Sequence, residues 1–220
     1  MYSHLRPGEA CGTHGAGEHR IPGTVSAMAA LPRRRLTTRV LLICGALAAV
    51  HLLIHFATAP LLTALAPLAP PLYALVAGVH SLLPFLARRV TDVPGTAVLT
   101  SAIAAVFIAV ANTAGVIVIV PLVLAGAIID LVVWRTRGTT APARRRYLLA
   151  AACAGTVLFG VSVVVFSPEH LSLGILLGSF LGRIAGEVLA SEISGALASA
   201  LHRAGVGRGS AETPHSSPSS

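Results

Sequence analysis

The sequence predicts an all-α membrane protein, a bundle of six transmembrane helices with both termini in the cytoplasm. Three observations carry that prediction. First, 55% of the 220 residues are apolar and only 11% charged, against roughly a quarter charged in soluble domains; the mean hydropathy is +0.81. Second, residues 40–87 and 93–129 contain no Asp, Glu, Lys or Arg, and uncharged runs of that length read as bilayer-crossing. Third, the basic residues segregate. All 16 are Arg. Apart from Arg183, they fall before residue 40, at Arg88–Arg89, between Arg135 and Arg146, or after residue 202. The alternate connections 60–70, 113–114 and 167–170 hold none, so the positive-inside rule puts both ends of the chain in the cytoplasm.

The first helix is expected over 40–59. Gly45 and Ala49 form a small-xxx-small pair that shares a face with Leu52 and Phe56. At 100° per residue, His51 and His55 lie on another face about 120° away. One side of this helix can therefore meet a partner while the other looks into the bundle. The connection 60–70 is apolar but contains Pro60, Pro67 and Pro70. Proline cannot continue a helix smoothly, so this segment reads as a lid over the bundle mouth or as an interfacial loop. Helices follow over 71–87, with His80 midway, and over 95–112 and 115–134. Pro84 and Pro121 interrupt two of them, and such kinks open polar cavities. Asp130 falls within reach of cytoplasmic water, and Trp134 reads as an interfacial anchor.

A fifth helix is expected over 147–166 and a sixth over 171–201. The last is longer than the roughly 20 residues a crossing needs; an amphipathic extension bearing Glu192 leads out into water. Gly174, Gly178, Gly182, Gly186, Ala190, Ser194 and Ala198 recur every fourth residue along it. In lipid, that spacing lets two helices approach closely, within this bundle or on another membrane protein. Arg183 and Glu187 stand one turn apart as an intramembrane ion pair, because an unpaired mid-bilayer Arg costs about 2.5–3.5 kcal/mol. Arg183 lies about 18 Å inward in a core about 30 Å thick, a depth that favours an internal brace or an inner-face coupling role over contact with an external ligand. Residues 1–32 lack the apolar stretch of a signal peptide and read as a disordered tail, with Met28 as a second candidate start. The membrane domain spans 33–202, and 203–220 forms another polar, disordered tail.

Several function classes drop out. With no Lys there is no phosphate-cradling P-loop and no Schiff-base chemistry, so ATP-driven work must come from a partner. The net charge of +8 does not indicate nucleic acid, since the arginines flank apolar stretches instead of forming one basic face. The three cysteines, Cys11, Cys44 and Cys153, suggest neither a disulfide framework nor a metal framework. What remains is a polar set within hydrocarbon: His51, His55, Tyr73, His80 and Asn112. Ionisable groups at that depth usually face a cavity or a polar partner, and apolar walls with a few polar groups make a ligand pocket. The histidines also admit a transition-metal site or plain structural hydrogen bonding. Three roles stand: a non-enzymatic binding subunit with no cofactor or metal, a small membrane enzyme using His51, His55 or His80, and a structural or assembly subunit.

Several stretches resemble the substrate-binding S components of energy-coupling factor (ECF) vitamin transporters, over about residues 36–206. Leu36-Thr37-Thr38-Arg39 followed by Gly45-xxx-Ala49 looks like the opening of several such families. Pro71-Leu72-Tyr73 and the run Pro94-Gly95-Thr96-Ala97-Val98-Leu99-Thr100-Ser101-Ala102-Ile103-Ala104-Ala105 are similar to the thiamine-related YkoE group, as is the last helix with Arg183. The resemblance implies a plasma-membrane subunit that captures a vitamin or vitamin precursor from outside, with thiamine or hydroxymethylpyrimidine the nearest match. It also implies docking, through Gly45 and Ala49, on a transmembrane T component driven by two ATPase subunits. The chain departs from that group at Ser101, where an acidic residue is expected, and in lacking an aromatic partner soon after Tyr73.

Overall fold

The computed structural model describes residues 36–111, 118–136, 143–164 and 172–205, all within one compact unit, Arg35–Ser220. Every regular element among them is helical: α1 (Thr38–Leu68), α2 (Pro70–Ala77), a 3₁₀ turn (Gly78–Ser81), α3 (Leu82–Thr91), α4 (Thr96–Ala111), α5 (Ile119–Arg135), α6 (Ala143–Val163) and α7 (Leu173–Arg203). Four runs are long and apolar enough to cross a membrane: α1, Pro70–Thr91, α6 and α7. The chain is thus a multi-pass membrane protein. Helix α4 is apolar and shorter, and α5 has 17 residues. The tails expected over 1–32 and 203–220 fall outside the described residues except for Arg203–Gly205.

The first helix corrects the expectation of a loop at 60–70. α1 is capped at its start by the Thr37 hydroxyl, which accepts from Val40 N–H, and continues for 31 residues through Pro60 and Pro67. That is about 46 Å at 1.5 Å per residue. Membrane helices tolerate proline because nearby groups adapt to the interrupted ladder. The carbonyls freed by Pro60 and Pro67 are those of Phe56 and Thr63; close by, the Thr58 and Thr63 hydroxyls donate back to Ile54 (2.8 Å) and Ala59 (2.9 Å), a pattern that bends helices. The break comes instead at Ala69, which precedes Pro70 and leaves the helical region with φ −150° and ψ 72°. A residue before proline is pushed out of helical conformation, and Pro70 then sits at the first position of α2, where no N–H is required.

Proline also shapes the second crossing. Pro84 lacks an N–H, and its ring crowds the carbonyl of His80. The backbone tightens into the 3₁₀ turn Gly78–Ser81, just before α3. Pro121, by contrast, causes no break within the described helix α5. It is the third residue of α5, within the first turn of the helix as described, where proline is tolerated. Helix α6 begins at Ala143, not 147, and takes Arg144–Arg146 into its first turn; Arg is a good helix former.

Helix α7 organises the bundle. α2, α3 and α6 pack on it, while α4 lies against α1, α3 and α5. Its small-residue stripe faces α2 within the same chain. A Cβ at Gly182 would lie 2.5 Å from the Pro71 carbonyl oxygen, and one at Gly78 would lie 2.7 Å from Gly186 Cα. Only glycine allows the two backbones to come so close.

The two ends of the bundle differ. One end is solid. Phe85, Ala97, Ile129, Val133, Tyr147, Ala150, Ala151 and Ala190, drawn from α3 to α7, form its core. Polar ties hold the helix ends around it. Arg88 is fully buried, with Nε 3.1 Å from Asp130 Oδ1, and Val98 N–H donates to Asp130 Oδ2 at 2.9 Å. Asp130 is therefore a buried cap for the start of α4, not a water-facing group. The Arg89 guanidinium lies 3.8 Å over the Tyr147 ring and donates to the Ser191 hydroxyl and carbonyl. Arg144 pairs with Glu192 at 3.1 Å. The tight α3–α4 turn closes this end with Asp92 at φ 50° and Gly95 at φ 89°.

Candidate functional site

The opposite end is hollow. There the C-terminal half of α1, the middle and end of α2, the 3₁₀ turn, the start of α5, the end of α6 and one residue of α7 line an open cavity of about 830 Å³. Its walls are mostly apolar, with polar groups from His55, Thr63, Tyr73, His80, Ser81, Ser162 and Arg183. Local sequence accounts for this placement. The 3₁₀ turn caused by Pro84 brings His80 and Ser81 to the wall. The unbroken passage of α1 through Pro60 turns Ala59, Thr63 and Ala66 toward the hollow.

Of the five residues predicted to bind a ligand, His55, Tyr73 and His80 line the cavity. His51 does not; it stands fully buried behind, its ring stacked on His80 with centroids 5.5 Å apart and planes within 9°. His55 approaches His80 from the other side at 5.3 Å. The three imidazoles thus form one cluster that joins α1 to the 3₁₀ turn. Asn112 lies outside the described residues. Among those residues, no group of three or more His, Cys, Asp or Glu side chains is arranged to hold a metal ion.

Arg183 pairs with Glu187, as an internal brace would, and also lines the cavity. Its Nη2 is 3.1 Å from Glu187 Oε1, but the two partners are not equivalent: Glu187 is fully buried, whereas Arg183 retains 12% side-chain exposure and lines the cavity. Sequence reasoning also passed over Thr63, Ser81 and Ser162. Thr63 was hidden by the reading of 60–70 as a loop. The two serines were legible only as isolated hydroxyls on apolar helices.

The predicted docking residues lie on the other side of α1. Among the described residues a Cβ at Gly45 would meet nothing within 4 Å; Ala49 is exposed and Phe56 is 48% exposed. The stripe that α1 buries is Cys44, Ala48, His51 and His55, and the Cys44 thiol points at the Thr96 carbonyl at 3.9 Å.

No family model matches this sequence, and no curated protein matches it. A solved structure described as the crystal structure of an S-component of ECF transporter is similar to it, at a TM-score of 0.69 and 23% sequence identity. The match covers 77% of this chain and 87% of that one. This protein shares the fold of that S component.

Proposed function

We propose that the chain is the substrate-capture subunit of an ECF-type importer, binding a vitamin or vitamin precursor from outside the cell. On this reading it is not an enzyme. The observation that carries it is the polarity of the bundle: in a fold shared with an S component, a cavity occupies the end opposite the arginine-rich, tightly packed end. The positive-inside rule turns the arginine-rich end to the cytoplasm and so turns the cavity outward. α4 and α5 then complete six crossings, with both termini inside. A thiamine-like or hydroxymethylpyrimidine-like ligand is the reading of the cargo that the sequence resemblance supports. The open α1 face around Gly45 and Ala49 would meet the T component, which the two ATPases drive.

Two measurements test this reading. In a variant whose native cysteines are replaced, Leu68→Cys should react with a membrane-impermeant maleimide on intact cells, and Arg203→Cys only after lysis. The reverse pattern would point the cavity inward and end the importer reading. For the cavity itself, Ala59→Trp places an indole in the hollow from an otherwise unaltered wall. It should lower uptake of the radiolabelled cargo at least tenfold while the melting temperature stays near that of the parent. Uptake that is the same with and without this chain, for every vitamin tried, would rule out the transport role.

A further inference from the structure

The cavity carries an electrostatic signature that narrows its ligand, on the assumption that it is the capture site proposed above. The Arg183–Glu187 pair is close to neutral as a whole but is oriented. Arg183 lines the hollow with part of its side chain exposed, while the Glu187 carboxylate is fully buried and absent from the wall. Glu187 engages one edge of the guanidinium through Nη2, and the Arg183 Nε–H is buried without a hydrogen-bond acceptor among the described residues. His80, on the same wall, has a buried Nδ1 that likewise lacks a partner there. Among the described lining residues there is no Asp or Glu. A ligand thus meets the positive end of an ion pair, together with imidazole and hydroxyl groups.

We infer that this cavity takes an uncharged or anionic ligand that offers a hydrogen-bond acceptor to Arg183, and that it discriminates against ligands bearing a fixed positive charge. A cation near the guanidinium is repelled more strongly than the more distant carboxylate attracts it. At a separation of about 5 Å and an effective dielectric of about 20, the difference is worth roughly tenfold in affinity. An acceptor in the same place gains a charge-assisted hydrogen bond, stronger than a neutral one. Of the two cargo types considered above, this selects the neutral pyrimidine over the thiazolium-bearing vitamin.

The test uses the full chain purified in detergent or nanodiscs, with saturable binding measured by calorimetry. The probes differ in charge and are compared within two size classes: hydroxymethylpyrimidine and nicotinamide (neutral) with nicotinate (anionic) among the small ones, and pantothenate (anionic) with thiamine (cationic) among the larger. A neutral or anionic probe should bind, with thiamine at least tenfold weaker. Arg183→Gln alone leaves Glu187 buried without its partner, so the informative variant is Arg183→Gln/Glu187→Gln, which retains side-chain volume and removes both charges. It should fold, as checked by melting temperature, and lose most of the discrimination. Glu187→Gln, which leaves the guanidinium uncompensated, should raise anion affinity several-fold and weaken thiamine further. Thiamine binding as tight as the neutral probes overturns the inference while leaving the capture role standing, as does discrimination that persists unchanged in the double variant. Failure of every probe to bind, at protein concentrations that detect millimolar affinity, overturns the inference and the capture role together.

Discussion

Gly186→Leu should destroy the fold, whereas Gly174→Leu, on the same stripe of the same helix, should leave it intact. At Gly186 an added Cβ runs into the Leu75 carbonyl oxygen and sits 3.3 Å from Gly78 Cα. The obstacles are backbone atoms of α2 and the 3₁₀ turn, which cannot rotate away as a side chain can. Relief requires moving that whole segment off α7. Overpacking a core with a few methylenes costs about 1–3 kcal/mol even when side chains can adjust. A leucine aimed at backbone should exceed that range. Lipid does not supply a hydrophobic force to hold the helices together, so their association depends on close packing; a gap opened at Gly186 forfeits it along the α2–α7 seam. At Gly174 an added Cβ meets nothing within 4 Å among the described residues. Size-exclusion profiles and melting curves in detergent separate the two cases. The Gly186 variant should give an aggregated or absent peak, and the Gly174 variant should match the parent. Equal behaviour of the two would mean that α2 and α7 do not pack as described.

That contrast shows where the sequence was readable. The small residues of α7 stood out at four-residue spacing, but the spacing is the same whether the stripe faces its own bundle or another protein. Only the positions of α2 and the 3₁₀ turn decide that Gly182 and Gly186 are filled from within while Gly174 is open. Placing His51 and His55 on a face away from Gly45 and Ala49 needed only helical periodicity, and α1 does bury the one pair and turn the other outward. Proline was harder to read. Pro60, Pro67, Pro84 and Pro121 have the same local chemistry but different outcomes, because the cost depends on whether the lost N–H had a partner and on what replaces it. The cavity inherited that difficulty. Thr63 and Ala66 line it only because α1 does not stop at Pro60. Arg183 was legible as a paired residue, but its direction depends on what α1, α2 and α5 leave empty, and no one-dimensional pattern contains that.

The second large effect belongs to the solid end. Arg88→Leu should be among the most destabilising single substitutions in the chain, and Arg88→Leu/Asp130→Asn should be markedly less harmful than Arg88→Leu alone. Asp130 is 8% exposed, with Arg88 Nε at 3.1 Å on one oxygen and Val98 N–H at 2.9 Å on the other. Removing the guanidinium leaves a buried carboxylate compensated only by backbone N–H groups, and stranding one member of a buried pair costs about 3–5 kcal/mol. Asparagine at 130 removes the stranded charge and keeps an oxygen to accept from Val98, so the cap on α4 survives. A cap of this kind is worth about 1 kcal/mol. The contrasting double variant, Arg88→Leu/Asp130→Leu, discards the cap as well and should be less stable than its Asn counterpart by about that amount. Melting temperatures in detergent should therefore run parent, then Arg88→Leu/Asp130→Asn, then Arg88→Leu/Asp130→Leu, with Arg88→Leu lowest. If Arg88→Leu and its Asn double variant melt together, the guanidinium stabilises this end by packing alone and its charge is incidental. The expected order would instead show that an arginine which reads as a loop charge in the sequence is a bolt between α3 and α5, holding one end of the bundle closed.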